Sequence, residues 1–101
     1  MRVQIFMTLP DDIVVKVRRD FSEDEEITIL QMLSEYVQQH PEQSARILRC
    51  IVFLANGNFD RFAEAVSLAQ RDWRDLIMVA EYDGWSGEEH RLRNLNEPFL
   101  A

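Results

Sequence analysis

Apolar residues recur at helical spacing along most of the stretch from Ile13 to Ala80. A period sustained over so much of the chain leaves little room for strands, whose side chains alternate with a period of two. Residues that break helices are few, three glycines and three prolines in 101 positions, and they fall between the periodic segments. A chain of this length supplies one hydrophobic core and not two. The pattern therefore predicts an all-α single domain of four to five short helices with a central helical hairpin.

The first helix is expected from Pro10 to Phe21, with Ile13, Val14, Val17 and Phe21 at helical spacing. Val14 and Val15 also suit a strand. Pro10 fits a first turn, and Asp11 and Asp12 then meet the positive end of the helix dipole. Ser22 and Glu25 have capping-box spacing and open the second helix. The acidic run Glu23 to Glu26 crowds the start of that helix, so it has a structural explanation and needs no metal. Ile27, Leu30, Leu33, Tyr36 and Val37 form the apolar stripe, and Ile29 and Met32 broaden it.

His40-Pro41 ends the second helix, because a residue before proline is pushed out of the helical region. The third helix is expected from Glu42 to Asn56. Ala45, Leu48, Ile51, Val52 and Ala55 share one face, and Ile47 and Leu54 widen it enough to make this helix central. Asn56-Gly57-Asn58 is a helix stop followed by a cap. So short a link sets the third and fourth helices antiparallel. Phe59, Phe62, Ala63, Val66 and Ala69 continue the pattern. Asp72 then suits the cap of a short fifth helix, with Asp75 at the capping-box position and Trp73, Leu76, Ile77 and Ala80 facing the core. Whether this helix is separate or continues the fourth is open. The helical domain so defined covers residues 9–84, between an N-terminal extension (1–8) and a C-terminal tail (85–101). Glu88 to Leu95 is expected to add a short helix, with the rest of the tail wrapping the surface or disordered. Met7 is a second candidate start.

Eleven basic residues against 18 acidic ones give a net charge of −7. Phosphate binding needs clustered Lys and Arg, so this balance argues against nucleic acid. The densest basic cluster, Lys16, Arg18 and Arg19, is followed at once by Asp20 and reads as a solvated helix face. No window is apolar enough to cross a bilayer; the most apolar run, Ile47 to Ala55, is interrupted by Arg49. No export signal is present and the single cysteine has no partner in the chain, so the expected location is cytoplasmic.

Chemistry-bearing motifs are scarce. Cys50 lies between Leu48 and Ile51 on an apolar helix and reads as buried and inert. His40 and His90 each stand alone without ligand spacing, and His40 suits the end of the second helix. There is no glycine-rich phosphate loop and no nucleophile elbow. No catalytic residue, metal site or cofactor site is therefore assigned. The most distinctive stretch is Asp72-Trp73-Arg74-Asp75-Leu76 with Ala80-Glu81-Tyr82. Asp72 and Asp75 suit capping, a cation, or ion pairs with Arg46 or Arg49 on the third helix. Asp72, Trp73, Arg74, Asp75 and Glu81 are the candidate functional surface.

Residues Leu9 to Tyr82 resemble a small family of bacterial proteins to which no activity is attached. The resemblance is carried by Leu9-Pro10-Asp11-Asp12-Ile13, Arg46-Ile47-Leu48-Arg49, Gly57 with its following helix, and the Asp72–Leu76 and Ala80–Tyr82 segments. It implies an all-helical cytoplasmic bacterial protein and transfers no site residue.

The expected function is a protein-interaction or regulatory module that docks through a helix face, with a protein partner or self-association, a homodimer included. On that reading some of Ile29, Met32, Ile47 and Leu54 are exposed or lie at an interface. The alternative is a small-ligand binder or enzyme using the Asp72–Glu81 acidic and arginine segment. A helical DNA-binding module is a third reading, which the net charge opposes.

Overall fold

In the computed structural model the described residues are 9–43, 45–83 and 90–99. They form four helices: α1 (Asp11–Asp20), α2 (Glu23–Gln39), α3 (Ala45–Ala55) and α4 (Phe59–Glu81). The extension and Met7 lie outside the described residues.

Local chemistry explains most boundaries. Pro10 stands at the N-cap of α1, its carbonyl accepting from the N–H groups of Ile13 and Val14 at 3.1 and 3.2 Å. Asp11 and Asp12 occupy the first turn and Arg18 and Arg19 the last, both favourable to the dipole. The Ser22 hydroxyl caps α2, accepting the Glu25 N–H at 3.3 Å. His40 ends that helix, and its ring packs on Tyr36 with centroids 4.5 Å apart. The next helix starts later than expected, at Ala45. Residues after Pro41 form a turn closed by the Gln43 N–H on the His40 carbonyl at 3.0 Å, which keeps Glu42 and Gln43 out of the helix.

The α2 stripe is shifted. Ile29, Leu30, Leu33 and Tyr36 are buried, whereas Ile27 is 55% exposed. Ile27 and Ile29 stand about 200° apart on a helix, so only one can face the core. Ser34, also buried, donates back to the Leu30 carbonyl at 2.8 Å.

Helix α3 is buried nearly all round, through Ile47, Leu48, Arg49, Cys50, Ile51, Val52 and Ala55, and occupies the centre. It pairs with α4 as a hairpin across Asn56-Gly57-Asn58, the most extensive helix contact in the fold. Asn56 and Gly57 take positive φ values of 48° and 77°. A Cβ on Gly57 would come within 3.0 Å of the Asp20 carbonyl oxygen, so glycine also lets the link pass close to the end of α1.

Helix α4 begins at Asn58, whose side chain accepts the Arg61 N–H at 2.9 Å. It breaks at Asp72, where φ is −160° and ψ 90°. There the Asp72 carboxylate accepts the N–H groups of Arg74 and Asp75 at 3.1 and 3.3 Å, so a second capped helix begins inside the first. Beyond the break Leu76, Ala80 and Glu81 face inward. Trp73, expected in the core, is 40% exposed because it falls in the first turn after the cap, at the rim of α3.

The chain then turns back. Tyr82–Asp83 pairs antiparallel with His90–Arg91. Within residues 90–95 the expected helix is absent, replaced by this pairing and a non-helical strap over residues 92–99. Leu95 is buried in the core and Phe99 packs against it.

Candidate functional site

Two arginines one turn apart on α3 organise the polar interior. Arg46 meets Glu81 in a two-pronged pair, Nε to Oε2 and Nη2 to Oε1, both 2.8 Å. Arg49 meets Asp12 in the same way, at 2.8 and 3.2 Å. Planar guanidinium and carboxylate match in this arrangement, which fixes direction as well as charge. The Glu81 side chain is fully buried and Arg46 keeps a quarter of its surface in solvent.

Each carboxylate does a second task. Glu81 Oε2 accepts the Leu95 N–H at 3.2 Å, and Asp12 Oδ2 accepts the Phe99 N–H at 3.0 Å. Arg49 also donates to the carbonyls of Leu95 and Asn96, at 3.4 and 3.3 Å. The pairs thus join α1, α3 and α4 and hold the strap on them. Burial pushes the Asp12 carboxyl up, but the Arg49 hydrogen bond, the Phe99 N–H and the Arg49 charge outweigh it and hold the group below its ordinary value. The Arg46 guanidinium is raised by its hydrogen bond to Glu81, against the opposing effect of burial.

Beside the Arg46–Glu81 pair an open groove of about 290 Å³ is lined by Glu42, Gln43, Arg46, Ile47, Trp73 and Ile77. The structure thus brings Trp73 near the pair that holds Glu81. It does not gather the other predicted residues there. Asp72, Arg74 and Asp75 are exposed at the α4 break, with the Asp72 carboxylate turned to backbone N–H groups. The Arg74 guanidinium lies 5.3 Å from the Trp73 ring centroid. Neither acid takes Arg46 or Arg49 as a partner; Glu81 and Asp12 do, because the fold carries α4's end and α1 to those positions.

Sequence reasoning missed Asp12, Leu95 and Phe99 as parts of this arrangement. The available signal was Arg46 and Arg49, two charges at one-turn spacing inside the most apolar helix, which require buried acids somewhere. On the Tyr36 side, burial and then the Glu42 charge raise the phenol, against the opposing Gln43 hydrogen bond.

Of the four residues expected to broaden the helix stripes, Ile29 and Ile47 are buried and Met32 and Leu54 half-buried. A shallower depression of about 210 Å³, lined by Leu54, Arg61, Glu64, Ala65, Leu68 and Val79, spans both sides of the α4 break. Among the described residues no cluster of three or more His, Cys, Asp or Glu is placed to hold a metal ion. No described helix is long and apolar enough to cross a membrane. No protein-family model matches the chain, and neither a curated protein nor a solved structure does.

Proposed function

We propose that the protein is an interaction module that docks a basic amphipathic helix of a partner protein in the groove between the start of α3 and the second half of α4. The exposure of Trp73 beside Ile77 carries this reading. A tryptophan encloses about 150–250 Å² of surface when fully buried, and such residues dominate binding energy when a partner covers them. Glu42 on the rim and the net charge of −7 favour a partner with basic residues on the Glu42 side of its apolar stripe, away from Arg46 in the lining and from Arg74, whose guanidinium lies over the Trp73 ring. A second copy, as in a homodimer, would bring a further net charge of −7 against a chain of the same charge.

The test uses the full chain with Trp85→Phe, so that emission reports Trp73 alone, and a synthetic helical peptide with leucine on one face and lysine on the other. A saturable blue shift, lost with Glu42→Gln combined with Ile77→Ala, supports the reading. An unchanged spectrum overturns it. A dimer in light scattering that Trp73→Ala dissociates, and Val15→Ala does not, replaces the partner helix with a second copy; Val15 is the control because it is similarly exposed, at 47%.

A further inference from the structure

The groove beside Trp73 is lined by more hydrogen-bond donors than the described residues use. Arg46 gives Nε and Nη2 to the fully buried Glu81 carboxylate, which leaves the Nη1 corner of the guanidinium. Gln43 accepts the Tyr36 hydroxyl through Oε1, which leaves its Nε2 amide. The Trp73 indole N–H can only donate. Among the described residues Arg46 Nη1, Gln43 Nε2 and Trp73 Nε1 have no acceptor, and all three side chains line the groove. Glu42 supplies the carboxylate of the lining.

Two of these donors are held in place before any partner arrives. The Arg46 guanidinium is fixed at two points by Glu81, with both bonds 2.8 Å long. Gln43 is tied by its main-chain N–H to the His40 carbonyl at 3.0 Å and by its side chain to Tyr36, a buried residue. Groups held in this way lose little freedom on binding, which favours an acceptor that meets them. Ile47, Ile77 and the Trp73 ring supply the apolar part of the same groove.

Local charge selects the acceptor. Glu81 already balances Arg46, and Glu42 stands on the rim. A partner's carboxylate would add a negative charge that no described lining residue is left to neutralise. Neutral carbonyls add none. The last four carbonyls of an α-helix have no partner within the helix and carry the negative end of its dipole. Lysine and arginine are favoured in that same last turn, which suits Glu42. Given docking in this groove, we infer that the partner helix enters by its C-terminal end, its last-turn carbonyls accepting from Gln43, Arg46 and Trp73 and a basic residue of that turn meeting Glu42. The groove then selects where a partner's helix stops, and not only which face it presents.

The experiment follows the anisotropy of two N-terminally labelled, C-terminally amidated peptides on the full chain. One is the leucine and lysine helix described above, ending in a lysine-bearing last turn. The other continues beyond that turn for about two turns of alanine, so that the same carbonyls bond within the helix. The first is expected to bind at least about fivefold tighter than the second. Gln43→Glu in the chain separates the two modes by sign. It keeps an oxygen for the Tyr36 hydroxyl, replaces the amide donor by an acceptor and adds a negative charge. Docking by the helix end predicts weaker binding of the first peptide. Docking by the helix side predicts tighter binding of both, since both are basic. Equal affinities for the two peptides, or tighter binding to Gln43→Glu, overturn the inference and leave the groove as a helix site. Binding of neither peptide overturns the groove as a docking site and the inference with it. If Gln43→Glu does not melt cooperatively, the two peptides on the unaltered chain decide.

Discussion

Arg46 and Arg49 are the residues on which the interior depends. A guanidinium inside an apolar helix is tolerated only where a carboxylate and further acceptors replace water. Arg49 meets that condition with Asp12 and two carbonyls, and Arg46 with Glu81 and residual solvent. Removing one member leaves the other charged and desolvated. Glu81→Ala is expected to lower unfolding free energy by about 3 kcal/mol, the low end for a broken buried pair because Arg46 reaches water; urea denaturation measures it. Asp12 gives a pH dependence whose sign follows from its lowered value. The native carboxylate binds protons more weakly than the unfolded one, so its stabilisation is whole above the ordinary value of 3.8 and is lost as pH falls through the depressed native value. Unfolding midpoints in urea at pH 7 and pH 3 should therefore converge in Asp12→Asn relative to the unaltered chain. The arginines were legible in the sequence as charges needing partners. Their partners were not, because Glu81 and Asp12 stand 35 and 37 positions away and only packing selects them.

At the scale of elements, the caps were the most legible features. Ser22, Asn58 and Asp72 each accept backbone N–H groups as their residue types and positions require. These rules operate within one turn and need no tertiary information. Asp72 matters most, since it starts a helix where another is still running. Asp72→Ala is expected to cost about 1 kcal/mol and to speed amide exchange from Leu76 to Ala80 ahead of the rest of α4, read by hydrogen–deuterium exchange. An unchanged exchange profile would show that packing of Leu76 and Ala80 alone holds the second half in place. Helix faces were less legible than caps. Ile27 and Trp73 both fit an apolar stripe by residue type, yet both are exposed, Ile27 because it stands across the helix from the buried Ile29 and Trp73 because it falls in the first turn after the Asp72 cap. The helix expected in the tail is absent over residues 90–95 for a different reason. The tail's main-chain groups are met by the Glu81 carbonyl and by the Glu81, Asp12 and Arg49 side chains, which replace the hydrogen bonds of a helix.

The whole molecule is a central helix wrapped by the others and closed by the strap. Cys50 on that central helix is fully buried. Its thiol is expected to react with a disulfide reagent only through unfolding, so labelling rates should rise with urea in parallel with loss of helical signal. Rapid labelling in native buffer would mean that the core around α3 opens locally. The helical class, the order of the helices and the α3–α4 hairpin follow from the sequence alone, since periodicity, caps and a three-residue link are encoded over a few neighbouring positions. Three things were decided only by tertiary structure: the acids that neutralise Arg46 and Arg49, the emergence of Trp73 into a groove, and the seating of residues 92–99. Each depends on how distant segments meet once burial has arranged the helices, and no local pattern carries that geometry.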